Sequence, residues 1–156
     1  MVAKSAYGAS AHEIAKLFGD FLQGEADRPA LALSGNELTA DARNAIEKSL
    51  ESFGYAAPNC SFATLIPSGK TTASGDFALD PHALFLMVEG LDPLFLIAAD
   101  VEATHALGEA YRMQLHPDAG TRVFGRNTAA FTNLADLMKS DRGKQAAWRV
   151  LKTLNS

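Results

Sequence analysis

The chain has 156 residues, of which 47% are hydrophobic and 21% charged; this is long enough to bury a core and too apolar for a disordered segment. A single cysteine, Cys60, excludes an internal disulfide and a thiolate zinc cluster, and suits a reducing cytoplasm. The net charge of −4 is unevenly divided, with 7 basic and 16 acidic side chains in residues 1–120 against 7 basic and 2 acidic in residues 121–156.

The opening residues MVAKSAYGASAHEIAK reach a charge-bearing helical pattern without the apolar core of a signal peptide, so export is not expected. Ser10 and Glu13 form a capping box, and Ile14, Leu17, Phe18, Phe21 and Leu22 recur at helical spacing before Gly24, predicting a first helix with one core face. The apolar run Ala30 to Leu33, ended by Ser34-Gly35-Asn36, predicts a short buried strand. Thr39 caps a second helix with the stripe Ala42, Ala45, Ile46, Leu50 and Phe53, and Gly54 closes it in the left-handed conformation. After Pro58-Asn59, Cys60 to Ile66 reads as a strand that enters the polar loop Pro67 to Gly75.

Residues 83–88, ALFLMV, admit two readings. Asp80 as an N-cap, Pro81 in the first turn, the helix formers Leu, Met and Ala, and a stop at Gly90 and Pro93 favour a helix. The alternative is an antiparallel hairpin over residues 83–99, in which ALFLMV pairs with LFLIAA. Neither run approaches the roughly 20 apolar residues of a membrane span, because Glu89 to Pro93 separates them. Leu94 to Ala99 is unbroken by polar residues, as in strands buried on both faces, and runs into a helix capped by Asp100 with Ala103, Ala106, Leu107 and Ala110 inward. Thr121 to Phe131 predicts a fourth strand, in which Gly125-Arg126-Asn127 admits a bulge or turn and a straight run equally. Helical sequence resumes at Asn133, and a last helix from Ser140 carries the stripe Ala147, Val150, Leu151 and Leu154.

This order predicts one α/β domain over residues 1–156: three layers, about four mainly parallel strands, and helices on both faces. The hairpin alternative would make it α+β. The element order is similar to that of uracil-DNA glycosylase-like folds. That family's water-activating turn after the first strand has no counterpart in Ser34-Gly35-Asn36-Glu37-Leu38, and its histidine-proline-serine loop is absent, so the likeness carries over no residue and no activity.

In an open parallel sheet ligands bind at the carboxyl ends of the strands, here Ser34 to Glu37, Pro67 to Gly75, Asp100, and residues 126–133. Gly69-Lys70-Thr71 copies the end of a phosphate-binding loop, but Thr64 stands where its first glycine belongs; a flexible polar loop is the better account, with looser anion binding by Lys70 and the loop amides as the alternative. Asn36, Lys70, Thr71 and Asp100 are therefore the candidate ligand residues, Asp100 serving foremost as a helix cap. Glu102, His105, Glu109 and Arg112 share a helical face, yet Glu-x-x-His lacks a second half, and His12-Glu13 has Lys16 where H-E-x-x-H needs histidine. No metal or cofactor is expected. No serine occupies a G-x-S-x-G elbow and Cys60 starts a strand, so covalent catalysis lacks support.

Arg142, Gln145, Arg149 and Lys152 share one face of the last helix, with Lys144 and Trp148 flanking it. Two functions follow. One is a non-catalytic interaction module whose basic terminal helix contacts an acidic protein or nucleic acid. The other is an enzyme or binding protein for a small molecule or nucleotide phosphate at the strand ends.

Overall fold

The structure is a computed structural model that describes residues 11–24, 27–66 and 79–155. Among these, six strands form one mixed sheet: β1 (Leu22–Gln23), β2 (Ala30–Ser34), β3 (Cys60–Thr64), β4 (Phe95–Ala98), β5 (Ala119–Val123) and β6 (Arg126–Ala130), in the spatial order β1-β3-β2-β4-β6-β5. The four central strands are parallel, and β1 and β5 add antiparallel edges.

Every residue of β2 and β4 is buried, which is why both read as continuous apolar runs. Alternation sends Leu31, Leu33, Leu96 and Ala98 to one side, where they pack with α1 (Ala11–Leu17), α3 (Pro81–Leu91) and α4 (Val101–Tyr111). Ala30, Ala32, Phe95 and Ile97 face α2 (Ala40–Ser52), the single-turn α5 (Leu134–Leu137) and α6 (Asp141–Leu151) on the other. A 3-10 turn, Lys152–Asn155, follows α6. The result is the three-layer α/β arrangement.

The caps explain where the helices begin. The side chains of Thr39, Asp80, Asp100, Asn133 and Ser140 each accept from a backbone N–H three residues on, at 2.7 to 3.3 Å. Residues 81–91 are helical, so the strand reading of 83–88 gives way. An antiparallel hairpin does occur, but over 119–130: the expected fourth strand folds back at Phe124 and Gly125, whose φ angles of 50° and 82° match the hairpin turn that follows strand twist.

Two further readings change. The first helix ends at Leu17, which is 73% exposed, and Leu22 belongs to β1 opposite Ala63; the chain turns at Phe18 to Phe21 before the helical stripe is complete. The cap expected at Ser10 lies outside the described residues. Gly90 does not stop α3, which runs on to Asp92 in the left-handed conformation (φ 49°). Its position marks the α1–α3 crossing instead, since a Cβ there would lie 2.5 Å from Ile14 Cγ1.

At the amino ends of β4 and β6 a part-buried ionic cluster ties the layers together. Arg126 donates to Glu89 and Asp92 at 2.6 Å each and to the Pro93 carbonyl at 3.0 Å, while the Tyr111 hydroxyl donates to Glu89 at 2.6 Å.

Candidate functional site

Reading only the parallel strands, β3-β2-β4-β6 leaves the chain moving outward in opposite directions from the β2–β4 boundary, which makes that boundary the topological switch point. Gly35 follows β2 there and Asp100 follows β4. One Asp100 oxygen accepts from the Gly35 N–H at 2.8 Å and the other from Ala103 N–H at 2.9 Å, so the carboxylate caps α4 and bridges the two strand ends at once. Burial raises the Asp100 carboxyl above its usual range, against the pull of these two bonds. Thr104 fastens the next strand end, its hydroxyl placed 2.9 Å from the Asp100 carbonyl and 3.2 Å from that of Phe131.

The crevice is narrow. A Cβ on Gly35 would lie 3.2 Å from Glu102 Cβ, so the first turn of α4 fills the space over the switch point. Asn36 stands at the same mouth with its residue exposed, its carbonyl accepting from the Ser34 hydroxyl at 2.6 Å. The fold thus brings Asn36 and Asp100 together, while Lys70 and Thr71 lie outside the described residues. Beside them, Asp118, Thr132, Asn133, Asp136 and Arg149 line a groove of about 440 Å³. Asp118 accepts from the Thr132 N–H at 3.2 Å and from its hydroxyl at 2.8 Å. Nothing local in the sequence singles out Asp118, because its contact with Thr132 exists only once the β5–β6 hairpin has closed.

A second candidate lies on the opposite flank of α6. Gly143 is buried because a Cβ would collide with the Leu137 carbonyl, and this close seating of α6 on α5 fixes how the helix is rotated. Ala147, Val150 and Leu151 then point inward, while Arg142, Lys144, Gln145, Trp148, Arg149 and Lys152 are exposed. Trp148 and Lys144 turn toward α2, and Arg149 toward the groove at Asp118, so the basic face is split between two sides of the helix. Trp148 is 42% exposed and stacks on Phe53 with ring centroids 6.3 Å apart. Together with Asp41, Lys48, Met138, Lys144 and Leu151 it lines a groove of about 350 Å³ between α2 and α6. No carboxylate among the described residues lies within ion-pair distance of Lys48, Arg142, Lys144, Arg149 or Lys152.

No family model matches this chain, and no curated protein matches it.

Elsewhere, His105 pairs with Glu109 at 2.8 Å on the exposed face of α4, as i,i+4 neighbours do. Among the described residues no group of three or more His, Cys, Asp or Glu side chains is placed to hold a metal. Cys60 is buried, and burial pushes its thiol well above the range in which a thiolate forms. No described helix is long and apolar enough to cross a membrane.

Proposed function

We propose that this protein is a non-catalytic interaction module that grips an acidic segment of a partner protein along α6. The observation that carries the reading is the α2–α6 groove, where a 42% exposed indole lies with Lys48 and Lys144, neither of which forms an ion pair among the described residues. An exposed tryptophan seated on a second ring is the kind of rigid apolar anchor that dominates protein interfaces, and flanking cations steer an acidic partner toward it. Arg142, Gln145, Arg149 and Lys152 extend the cationic surface beyond the groove. An acidic peptide suits it better than nucleic acid, because a chain of net charge −4 repels a long polyphosphate outside the local patch.

Trp148 is the chain's single tryptophan, so its emission reports on the groove. Titration with an aspartate- and glutamate-rich peptide carrying one leucine or phenylalanine is expected to shift that emission saturably, with affinity falling as salt rises. Changing Lys48, Lys144 and Lys152 to Glu together is expected to abolish the shift. An emission that stays constant, or survives the triple change, overturns the reading, and stronger binding by a single-stranded oligonucleotide would reassign the partner.

A second reading is a small-molecule or nucleotide-phosphate site at the strand ends, supported by Asn36 and Asp100 at the switch point. It is tested by thermal shift: stabilisation by a phosphorylated metabolite that is lost in Asn36→Ala supports it, and a panel without any stabilising compound removes it.

A further inference from the structure

The two edges of the sheet are unequal. β1 covers its edge with two residues, whereas β5 presents five, and Gly120, Thr121 and Arg122 are all exposed. Long open edges are usually blunted by proline, a bulge or several charges. β5 has no proline, pairs with β6 one to one over residues 119–123, and carries one cation, Arg122, which has no ion-pair partner among the described residues.

The register shows which backbone groups of β5 have no partner among the described strands. Val123 and Arg126 flank the two-residue turn and so form a doubly hydrogen-bonded pair, and such pairs alternate along an antiparallel ladder. Ala119, Thr121 and Val123 therefore turn their N–H and C=O toward β6. Independent support comes from Phe131, whose N–H donates to Ala98: odd-numbered residues of this strand face β4, leaving the even-numbered ones to β5. Gly120 and Arg122 consequently direct their backbone groups away from the sheet.

We propose that β5 is a self-association edge, at which a second copy of this chain pairs antiparallel about a twofold axis through Thr121. In that register Gly120 of each copy lies opposite Arg122 of the other, and all four outward backbone units meet as two doubly bonded pairs. Thr121 faces its own counterpart in the close, non-hydrogen-bonded position. Arg122 meets a residue with no side chain, because the space above Gly120 belongs to Thr153 of its own copy. The neighbouring registers fail. An axis at Arg122 would oppose two guanidiniums, and an axis at Gly120 would recruit Asp118, whose φ of 61° takes it out of the strand. The two sheets become one continuous sheet, with α6 of each copy on the same face.

Cysteine crosslinking reads this register directly. At the close pair Cα atoms stand about 4.5 Å apart, within the span of a disulfide. Thr121→Cys in the full chain is expected to form a disulfide dimer on mild oxidation at least ~10-fold faster than Arg122→Cys, whose two copies would sit at diagonal positions too far apart to bridge. Buried Cys60 stays out of the reaction. Sedimentation of the unmodified protein is expected to show a reversible dimer with a Kd at or below ~1 mM, and Thr121→Lys, which sets two ammonium groups face to face, to stay monomeric. Equal crosslinking at the two positions, or an unmodified protein that is monomeric at ~1 mM, overturns the proposal.

Discussion

Asp100 and Gly35, 65 positions apart in the chain, are joined by a 2.8 Å hydrogen bond across the boundary between β2 and β4. The same carboxylate starts α4 through Ala103. Removing it leaves two backbone donors without partners at a half-buried site. Asp100→Ala is expected to lower stability by about 1–3 kcal/mol, clearly more than Asp80→Ala, whose cap is exposed and single. Urea unfolding of the two variants measures the difference.

Asp100 also predicts a direction of pH dependence. Its folded carboxyl is raised above the ordinary value by burial, so the folded state holds that proton more tightly than the unfolded chain. The stability this group contributes is complete below about pH 3.9, the unfolded value, and is lost as pH rises through the folded value. Measured against Asp100→Ala, the native protein should therefore lose relative stability as pH climbs from that point. A relative gain over the same range would show that the two accepted hydrogen bonds outweigh burial.

The Arg126 cluster should behave as a unit. Arg126 and Glu89 have side chains only 11% and 15% exposed, whereas Asp92 is 74% exposed. Arg126→Met strands the Glu89 carboxylate and is expected to cost about 3–5 kcal/mol, while Asp92→Asn costs about 0–1 kcal/mol. Pairing Arg126→Met with Glu89→Gln should recover part of the loss. Denaturation midpoints of the three variants test that ordering.

Two glycines at helix contacts should differ in their tolerance of alanine. At Gly90 the added methyl meets the flexible Ile14 side chain, and at Gly143 it meets the Leu137 backbone carbonyl, which has no room to retreat. Gly143→Ala is expected to cost ~3 kcal/mol and Gly90→Ala less, with Ile14→Val relieving the second but having no counterpart for the first. Calorimetric melting of the single and paired variants distinguishes the two.

Cys60 should be silent toward thiol reagents in the native protein. Its burial and raised pKa leave almost no thiolate, so modification by a chromogenic disulfide is expected to proceed only as fast as the chain unfolds, and to accelerate with denaturant. Rapid labelling under native conditions would contradict the packing of β3 against α2.

Local chemistry carried much of the fold. The N-caps at Thr39, Asp80, Asp100 and Ser140 and the unbroken runs of β2 and β4 depend only on residues within a few positions, so they are legible from the chain alone, as is the basic face of α6. The fold-back at Phe124-Gly125 realises the turn that Gly125 admits locally, whereas Leu17, β1 and the role of Gly90 are not local. Leu17 fits the helical period as well as Phe18 does, yet its exposure is decided by where the chain turns before β1. Two residues are too few to carry a strand pattern, and Gly90 resembles a helix stop until α1 lies across it. The candidate sites divide in the same way. Residue types and spacing single out Asp100 and Trp148, but the strand order puts Asp100 beside Gly35, and the seating of Gly143 on Leu137 turns Trp148 toward α2. Periodicity and capping are short-range properties that a sequence displays directly. Neighbours across a sheet or between helices are set by how all the apolar faces are buried together, and only the tertiary structure decides them.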